Sequence, residues 1–193
     1  MSGGLTNGEH YSHSEIVENG KGIPHGVNYV FLLSAPKNWL FDNESGVSQG
    51  VHAMMYPKNH TFKTAKVVIY AGAILKINNS FVDSINNKLD ELMKTCDASD
   101  FNKTGIYKTK CKRDAVTLEF YNHKFNNHEM FAFIDTPKMV CTIIMASKNK
   151  TVFENSKKSF IDVIGSFEFI TSDEVKFMKE YEKFLKEQRP SSK

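Results

Sequence analysis

The stretch SAPKNWLFDNESGVSQGVHAMMYPK (34–58) places apolar segments on both sides of a polar, glycine-containing turn. The run that leads into it, NYVFLLSAP (28–36), stops at a proline, and so does the run QGVHAMMYP (49–57). Short apolar runs bounded by proline are typical of strands, because proline cannot donate to a strand ladder. We therefore predict two adjacent strands joined by a structural turn around Trp39, the only tryptophan of the chain.

Composition limits the classes of protein to which this chain can belong. The 193 residues suit one domain, and a hydrophobic content of 40% is enough for a core. The formal charge is +3, with 22 acidic residues spread among 25 basic ones. A nucleic-acid-binding protein usually concentrates its basic residues, so we do not expect nucleic-acid binding. No apolar run approaches the roughly 18 residues that a membrane-spanning helix needs.

Hydrophobic periodicity after residue 60 predicts one further strand, a helix and a meander. The run AKVVIYAGAIL (65–75) is β-branched and apolar, as in a strand. In NSFVDSINNKLDELMKT (79–95), Ser80 is a good N-cap and the apolar residues recur at helical spacing. The runs AVTLEFYNH, EMFAFID and MVCTIIMAS (115–147) follow with short links, which favours three antiparallel strands.

The C-terminal part of the sequence predicts a helix, a short strand and a last helix. The segment TVFENSKKSFIDVIGSF (151–167) offers Thr151 as a cap and Gly165 as a terminator. A strand SFEFI follows, and Ser172 can cap the final helix. Hairpin-like links indicate an antiparallel sheet whose faces must be covered by helices. We predict an α+β fold, an antiparallel sheet of about six or seven strands covered by helices.

The domain organisation that we predict has three parts. Residues 1–26 are rich in glycine and poor in large apolar residues, so we interpret them as a flexible N-terminal arm. Residues 27–171 form the domain, and residues 172–193 form a C-terminal helix and a frayed tail.

Several segments resemble the PsbP/Mog1-like α/β/α sandwich superfamily over roughly residues 28–170. They are SAPKNW, GVHAMMYP, VVIYAGAIL and FIDVIGSFEF. The chain is most similar to uncharacterised bacterial secreted proteins with a PKxW…GxxQGxxAxxYP segment. The resemblance implies no enzyme activity, no cofactor and no catalytic residues, since members of this superfamily are mostly photosystem accessory proteins, a Ran-binding factor and bacterial proteins of unknown role.

The resemblance also implies a cellular role and a location. The first hypothesis is a non-enzymatic, exported bacterial binding or accessory module, periplasmic, secreted or lipid-anchored, whose leader is absent from this sequence. The alternative is a cytoplasmic partner-binding protein of the Mog1 type, in keeping with the polar start MSGGLTNGEHYSHSE.

The turn after Trp39 is the place where we expect a small or peptidic ligand to bind. Trp39, Asp42, Gln49 and His52 bring an aromatic ring, an acid, an amide and an imidazole together around glycines, where sheet-end loops often serve binding. A competing hypothesis is a serine hydrolase that uses Ser48, His52 and Asp42. The segment GVSQG formally fits G-x-S-x-G, but a nucleophile elbow needs a strand before it and a helix after it.

The three cysteines allow two interpretations. Cys96 and Cys111 flank a segment with Lys, Asn and Gly and are our candidates for a disulfide. A disulfide would favour an oxidising compartment. Cys141 lies in an apolar run and is expected to be a buried thiol. The alternative is three unrelated thiols.

Histidines and lysines give two further predictions. The pairs His10/His13 and His123/His128 lack the third and fourth ligands of a zinc site, so we predict no metal. The cationic side chains of YKTKCKR (107–113), joined by those of SKNKTVFENSKK (147–158), are predicted to contact an anionic partner or surface. In the first segment these are Lys108, Lys110, Lys112 and Arg113.

Overall fold

The computed structural model of the chain describes residues 11–12, 16–46, 51 and 53–188. Within them, the strands are β1 (Tyr11–Ser12), β2 (Ile16–Glu18), β3 (Lys21–Gly22), β4 (His25–Gly26), β5 (Tyr29–Ser34), β6 (Trp39–Asp42), β7 (Met54–Pro57), β8 (Val68–Leu75), β9 (Ala98–Lys108), β10 (Asp114–Asn122), β11 (Asn127–Asp135), β12 (Met139–Ser147) and β13 (Glu168–Thr171). The helices are α1 (Phe81–Cys96), α2 (Lys150–Ser166) and α3 (Glu174–Gln188).

The main sheet has eight strands among the described residues, in the order β2-β6-β7-β8-β12-β11-β10-β9. Every neighbouring pair is antiparallel. The predicted meander is confirmed as β10, β11 and β12, and the predicted α+β class is confirmed with it. The sheet is wider than the six or seven strands expected, because β2, β6 and β9 were not predicted, and the predicted strands β5 and β13 pair in the small sheet instead.

Helices and a smaller sheet cover the two faces of the main sheet. On one face, Leu92 and Leu89 of α1 belong to the same apolar cluster as Phe131 and Phe133 of β11. The other face carries the larger core, where α2 and the small sheet pack on the main sheet. The small sheet has the order β1-β3-β5-β13, with β4 also paired to β5, and α3 contacts β5.

Strand β9 explains why the predicted disulfide is wrong. Cys96 ends α1 just before β9, and Cys111 lies in the turn that follows it, so the two residues are at opposite ends of an 11-residue strand. At about 3.3 Å per residue, that strand separates the cysteines by roughly 30 Å, whereas a disulfide needs Cα atoms within about 7 Å. Both thiols are free, and Cys141 is a fully buried free thiol, as predicted.

The described part of the predicted flexible arm is ordered. Residues 16–26 form β2, β3 and β4, which pair with β6 and β5. Gly22 allows this packing, because a Cβ atom there would overlap the ring of Phe41. Glycine in this segment therefore serves close packing rather than flexibility.

A side chain caps the N-terminus of α1 and another caps that of α2. The predicted cap of α1 is confirmed, since the Ser80 side chain accepts a hydrogen bond from the backbone N–H of Asp83. The cap of α2 is not Thr151 but Asn149, whose Oδ1 accepts from the N–H of Val152 at 3.0 Å. No helix in the described part of the chain is both long and apolar enough to cross a membrane.

Candidate functional site

The predicted turn around Trp39 is wrong, because Trp39 begins strand β6, and the strands expected on its two sides, β5 and β7, lie in different sheets. The side chain of Trp39 is only 7% exposed and packs in the larger core with Phe41 and Met55. Trp39 lies opposite Pro57 in the pairing of β6 with β7, and its burial leaves little surface for a ligand.

Asp42 is fully buried at the end of β6, where it organises the turn. Its Oδ1 accepts hydrogen bonds from the N–H groups of Glu44 and Ser45, both at 2.9 Å. Its Oδ2 accepts from the hydroxyl of Tyr56 at 2.6 Å. Burial by itself would raise the pKa of Asp42, but these hydrogen bonds outweigh it and lower the pKa. Asp42 is therefore a buried, ionised and fully engaged carboxylate.

The remaining members of the predicted binding set, Gln49 and His52, lie outside the described residues, as does Ser48 of the hydrolase hypothesis. The structure gives Trp39 and Asp42 structural contacts, and the ligand site built on all four residues stays a prediction.

Most cations of the predicted patch 107–113 already have partners. Lys108 pairs with Asp114 at 2.6 Å, and Lys110 pairs with Glu168 at 2.7 Å. The guanidinium of Arg113 donates to the backbone oxygen of Asp135 and lies over a phenylalanine ring. These contacts already engage most of the cationic side chains of the patch. The patch should therefore attract an anionic partner less strongly than its sequence suggests.

A groove of about 620 Å³ lies where β8 begins and β12 ends. We call it the lysine-rimmed groove. Its apolar floor contains Phe62, Val67, Val68 and Ala146. Lys63, Lys66, Ala65, Asn127, Ser147, Lys148 and Asn149 complete its lining.

Sheet pairing builds this groove from two distant segments. Val68 of β8 pairs with Ala146 of β12, which brings segment 62–68 beside segment 146–149. The Ser147 hydroxyl donates to the backbone oxygen of Lys66 at 2.6 Å and fixes the two segments together. The lysines therefore stand on both sides of the apolar floor, on a rigid support.

The rim is electropositive. Lys63, Lys66 and Lys148 are exposed, as is Lys150 at the start of α2. None of these four lysines forms an ion pair with a carboxylate in the part of the chain that the structure describes. The N-terminus of α2 adds the positive end of a helix dipole on the same side, and no acidic residue lies in its first turn. The groove is thus suited to bind a negatively charged group next to an apolar one.

A second groove, of about 420 Å³, lies at the start of α3. Its charged lining residues are of both signs, Lys138 with Asp173 and Glu174. Glu174 is also engaged by His25 at 2.8 Å. This mixed lining does not select a ligand by charge, so the lysine-rimmed groove is the stronger candidate.

Comparison with known proteins identifies the fold. No protein-family model and no curated protein matches the sequence. Among solved structures, the solution structure of cyanobacterial PsbP (CyanoP) from Synechocystis sp. PCC 6803 matches with a TM-score of 0.52 and 11% sequence identity. The match covers 82% of this chain and 98% of that one. This chain has a PsbP-like fold.

Beside the groove, the main sheet of this PsbP-like fold carries a buried acid, Glu129 of β11, which is 5% exposed. Its Oε1 accepts from the side-chain amide of Asn122 at 2.9 Å, and the Asn127 side chain is a second hydrogen-bond partner. Burial is the main cause that raises the pKa of Glu129, and the hydrogen bonds and Lys88 only partly offset it. Because Asn127 also lines the groove, it connects this carboxyl to the binding surface.

The described residues of this chain hold no cluster of three or more side chains that could bind a metal ion. The cations around Lys148 form part of a basic segment in the sequence, whereas Lys63 and Lys66 lie about 80 residues earlier, outside any basic segment. Only the pairing of β8 with β12 joins them, and no local sequence signal shows that pairing.

Proposed function

We propose that this protein is a non-catalytic binding module that holds an acidic segment of a partner protein in the lysine-rimmed groove. One observation carries the proposal: exposed lysines without carboxylate partners among the described residues flank an apolar floor. Lysines that are not neutralised within the chain leave a positive potential that attracts an anionic partner.

The arrangement of the rim favours a peptide over a small anion. Lys63 and Lys66 stand on one segment of the groove, and Lys148 and Lys150 belong to the other. A ligand that engages both sides needs at least two carboxylates, with an apolar side chain between them for Phe62 and the floor. A fatty acid has a single carboxylate and would leave one side of the rim unpaired.

The cellular setting that we propose is the periplasm or the exterior of a bacterial cell, in keeping with the resemblance to bacterial secreted proteins. Fractionation of the native cells tests it. The protein should be recovered from the periplasm or the medium, and recovery from the cytoplasm alone would contradict this part of the proposal.

Fluorescence polarisation tests the binding function. The probe is a fluorescein-labelled peptide of eight residues with six glutamates around a central Leu-Phe pair, and a peptide with glutamines in place of the glutamates is its control. We expect binding of the first peptide alone, weakening as salt rises from 50 to 300 mM, because exposed charges are screened.

Charge reversal locates the site. An exposed ion pair contributes about 0.5 kcal/mol. The double variant Lys66→Glu with Lys148→Glu removes two attractions and adds two repulsions of about that size. We therefore expect the free energy of binding to weaken by about 2 kcal/mol, which is roughly a 30-fold loss of affinity. The matched control is Lys37→Glu with Lys179→Glu, two exposed lysines on other elements. Equal losses in the two double variants, or no binding by the wild type, would overturn the proposal.

A further inference from the structure

Glu129 is the one acid of the described residues that is both buried and linked to the lysine-rimmed groove. Its carboxyl and the groove share the Asn127 side chain. On the sheet, Glu129 pairs with Ala146, whose side chain belongs to the groove floor, and Ala146 in turn pairs with Val68. Glu129, Ala146 and Val68 therefore form one row across β11, β12 and β8, on one face of the sheet.

We infer that Glu129 takes up a proton from solvent when an acidic peptide binds the groove, so that the affinity of the groove rises as pH falls. The inference rests on the proposed function and adds a control of that site by pH. A bound peptide brings carboxylates close to a buried carboxylate, and like charges in a poorly solvated site repel each other. Protonation of Glu129 removes that repulsion.

The groups that face Glu129 leave its charge poorly compensated. Asn122 of β10 supplies a neutral donor, and Tyr70 of β8, whose pKa burial raises, is a neutral neighbour. Lys88 of α1 is the cation that acts on the carboxyl, and it is already paired with Glu91 at 2.9 Å. No salt bridge to Glu129 forms within the described residues.

Glu119 shows the contrasting arrangement. It lies on the adjacent strand β10, opposite Met130, and so faces the other side of the sheet from Glu129. Lys157 pairs with it directly at 2.7 Å. The ion pair with Lys157 stabilises the ionised form of Glu119, so this carboxylate is not expected to take up a proton when a peptide binds the groove. Glu119 is therefore a matched control for Glu129.

The sign of the linkage follows from proton binding. The peptide-bound form holds the proton of Glu129 more tightly than the free form, so binding consumes protons over the pH range in which Glu129 titrates. Affinity is then highest when Glu129 is protonated in the free protein, and it falls as pH rises. Glu129→Gln mimics the protonated side chain and keeps an oxygen to accept from Asn122.

The experiment measures affinity for the acidic Leu-Phe probe peptide from pH 5.5 to 8.0, by calorimetry in two buffers of different ionisation enthalpy. We expect the wild type to lose about fivefold more affinity over this range than Glu129→Gln. The buffer dependence should show more proton uptake by the wild type than by Glu129→Gln. Glu119→Gln should behave as the wild type. The three proteins share every other ionisable group, so the comparison removes the contribution of those groups.

Each outcome decides the inference. Equal pH slopes in the wild type and Glu129→Gln would overturn the proton linkage and leave the proposed function standing. No binding by the wild type at any pH would overturn both. If Glu129→Gln does not fold, the carboxyl resonance of Glu129 in ¹³C-labelled wild type replaces it. Its titration midpoint should rise on addition of peptide, and an unchanged midpoint would overturn the linkage.

Discussion

Replacement of Tyr56 by phenylalanine removes one hydroxyl from a closely bonded polar pair in which both side chains are buried. Tyr56 is 1% exposed, and its hydroxyl donates to the fully buried Asp42 at 2.6 Å. A hydrogen bond to a charged group contributes about 1.5–3 kcal/mol, so we expect Tyr56→Phe to lower the free energy of unfolding by about 2 kcal/mol. For a chain of this length, that corresponds to a Tm about 4–8 °C lower.

The pH dependence of the loss identifies its cause. The pKa of Asp42 lies below its usual 3.8, and the Tyr56 hydroxyl is one of the donors that lower it. A lowered carboxylate pKa stabilises the folded protein above the unfolded pKa, and this stability is lost as pH falls through the folded pKa. Without Tyr56 the pKa of Asp42 rises, so less stability remains to be lost. The difference between wild type and variant should therefore shrink below about pH 3.

Urea unfolding at pH 7 and pH 2.5, followed by tryptophan fluorescence, measures both effects. Tyr70→Phe is the control, because the Tyr70 hydroxyl forms no hydrogen bond that the structure shows and its removal should change stability by less than about 0.5 kcal/mol. An equal loss in both variants, or a Tyr56→Phe loss that is as large at pH 2.5 as at pH 7, would refute the reasoning.

Three further predictions concern the thiols, the core and the buried acid. Ellman's reagent should react with Cys96 and Cys111 in the native protein and with Cys141 only after unfolding, because burial raises the pKa of Cys141 to about 12. Detection of fewer than three thiols in unfolded, non-reduced protein would contradict this. Phe160 is fully buried in α2, so Phe160→Ala should lower the free energy of unfolding, measured with a denaturant, by about 4 kcal/mol. A decrease below about 1 kcal/mol would show that α2 does not pack as described. As pH rises from 4.5, the raised pKa of Glu129 should make the wild type lose stability that Glu129→Gln keeps, and parallel stability curves would contradict this.

Local periodicity was sufficient to predict the elements with a strong apolar pattern. The helix α1 was predicted from the spacing of Phe81, Leu89 and Leu92 and from the Ser80 cap. The meander was predicted from alternation, which the register of β10, β11 and β12 confirms. The apolar face of α1 packs on one core, and alternate side chains of β11 and β12 enter the two cores on opposite faces of the sheet, so the sequence period matches the structure.

The features that were not predicted depend on pairing between residues that are distant in the sequence, and local periodicity contains no information about such pairing. Strand β9 was missed because it lies at the edge of the sheet and its sequence is largely polar, as edge strands often are. Asp42 is predicted from the sequence as a ligand-binding residue, but its carboxylate is buried and accepts a hydrogen bond from Tyr56, 14 residues later. The lysine-rimmed groove was missed for the same reason, because Lys66 and Lys148 meet only through the pairing of β8 with β12.

Mapping the bound peptide by NMR tests the central claim, that the lysine-rimmed groove binds an acidic segment. The measurement is a ¹⁵N–¹H titration of the wild-type protein with the acidic Leu-Phe peptide, with the glutamine peptide as the control. The account predicts that the largest amide shifts fall on residues 62–68, on residues 146–152 and on Asn127, and that the control peptide gives none of them. Shifts centred on the turn after Trp39 or on the groove at Thr171–Val175, with segments 62–68 and 146–152 unchanged, would contradict it.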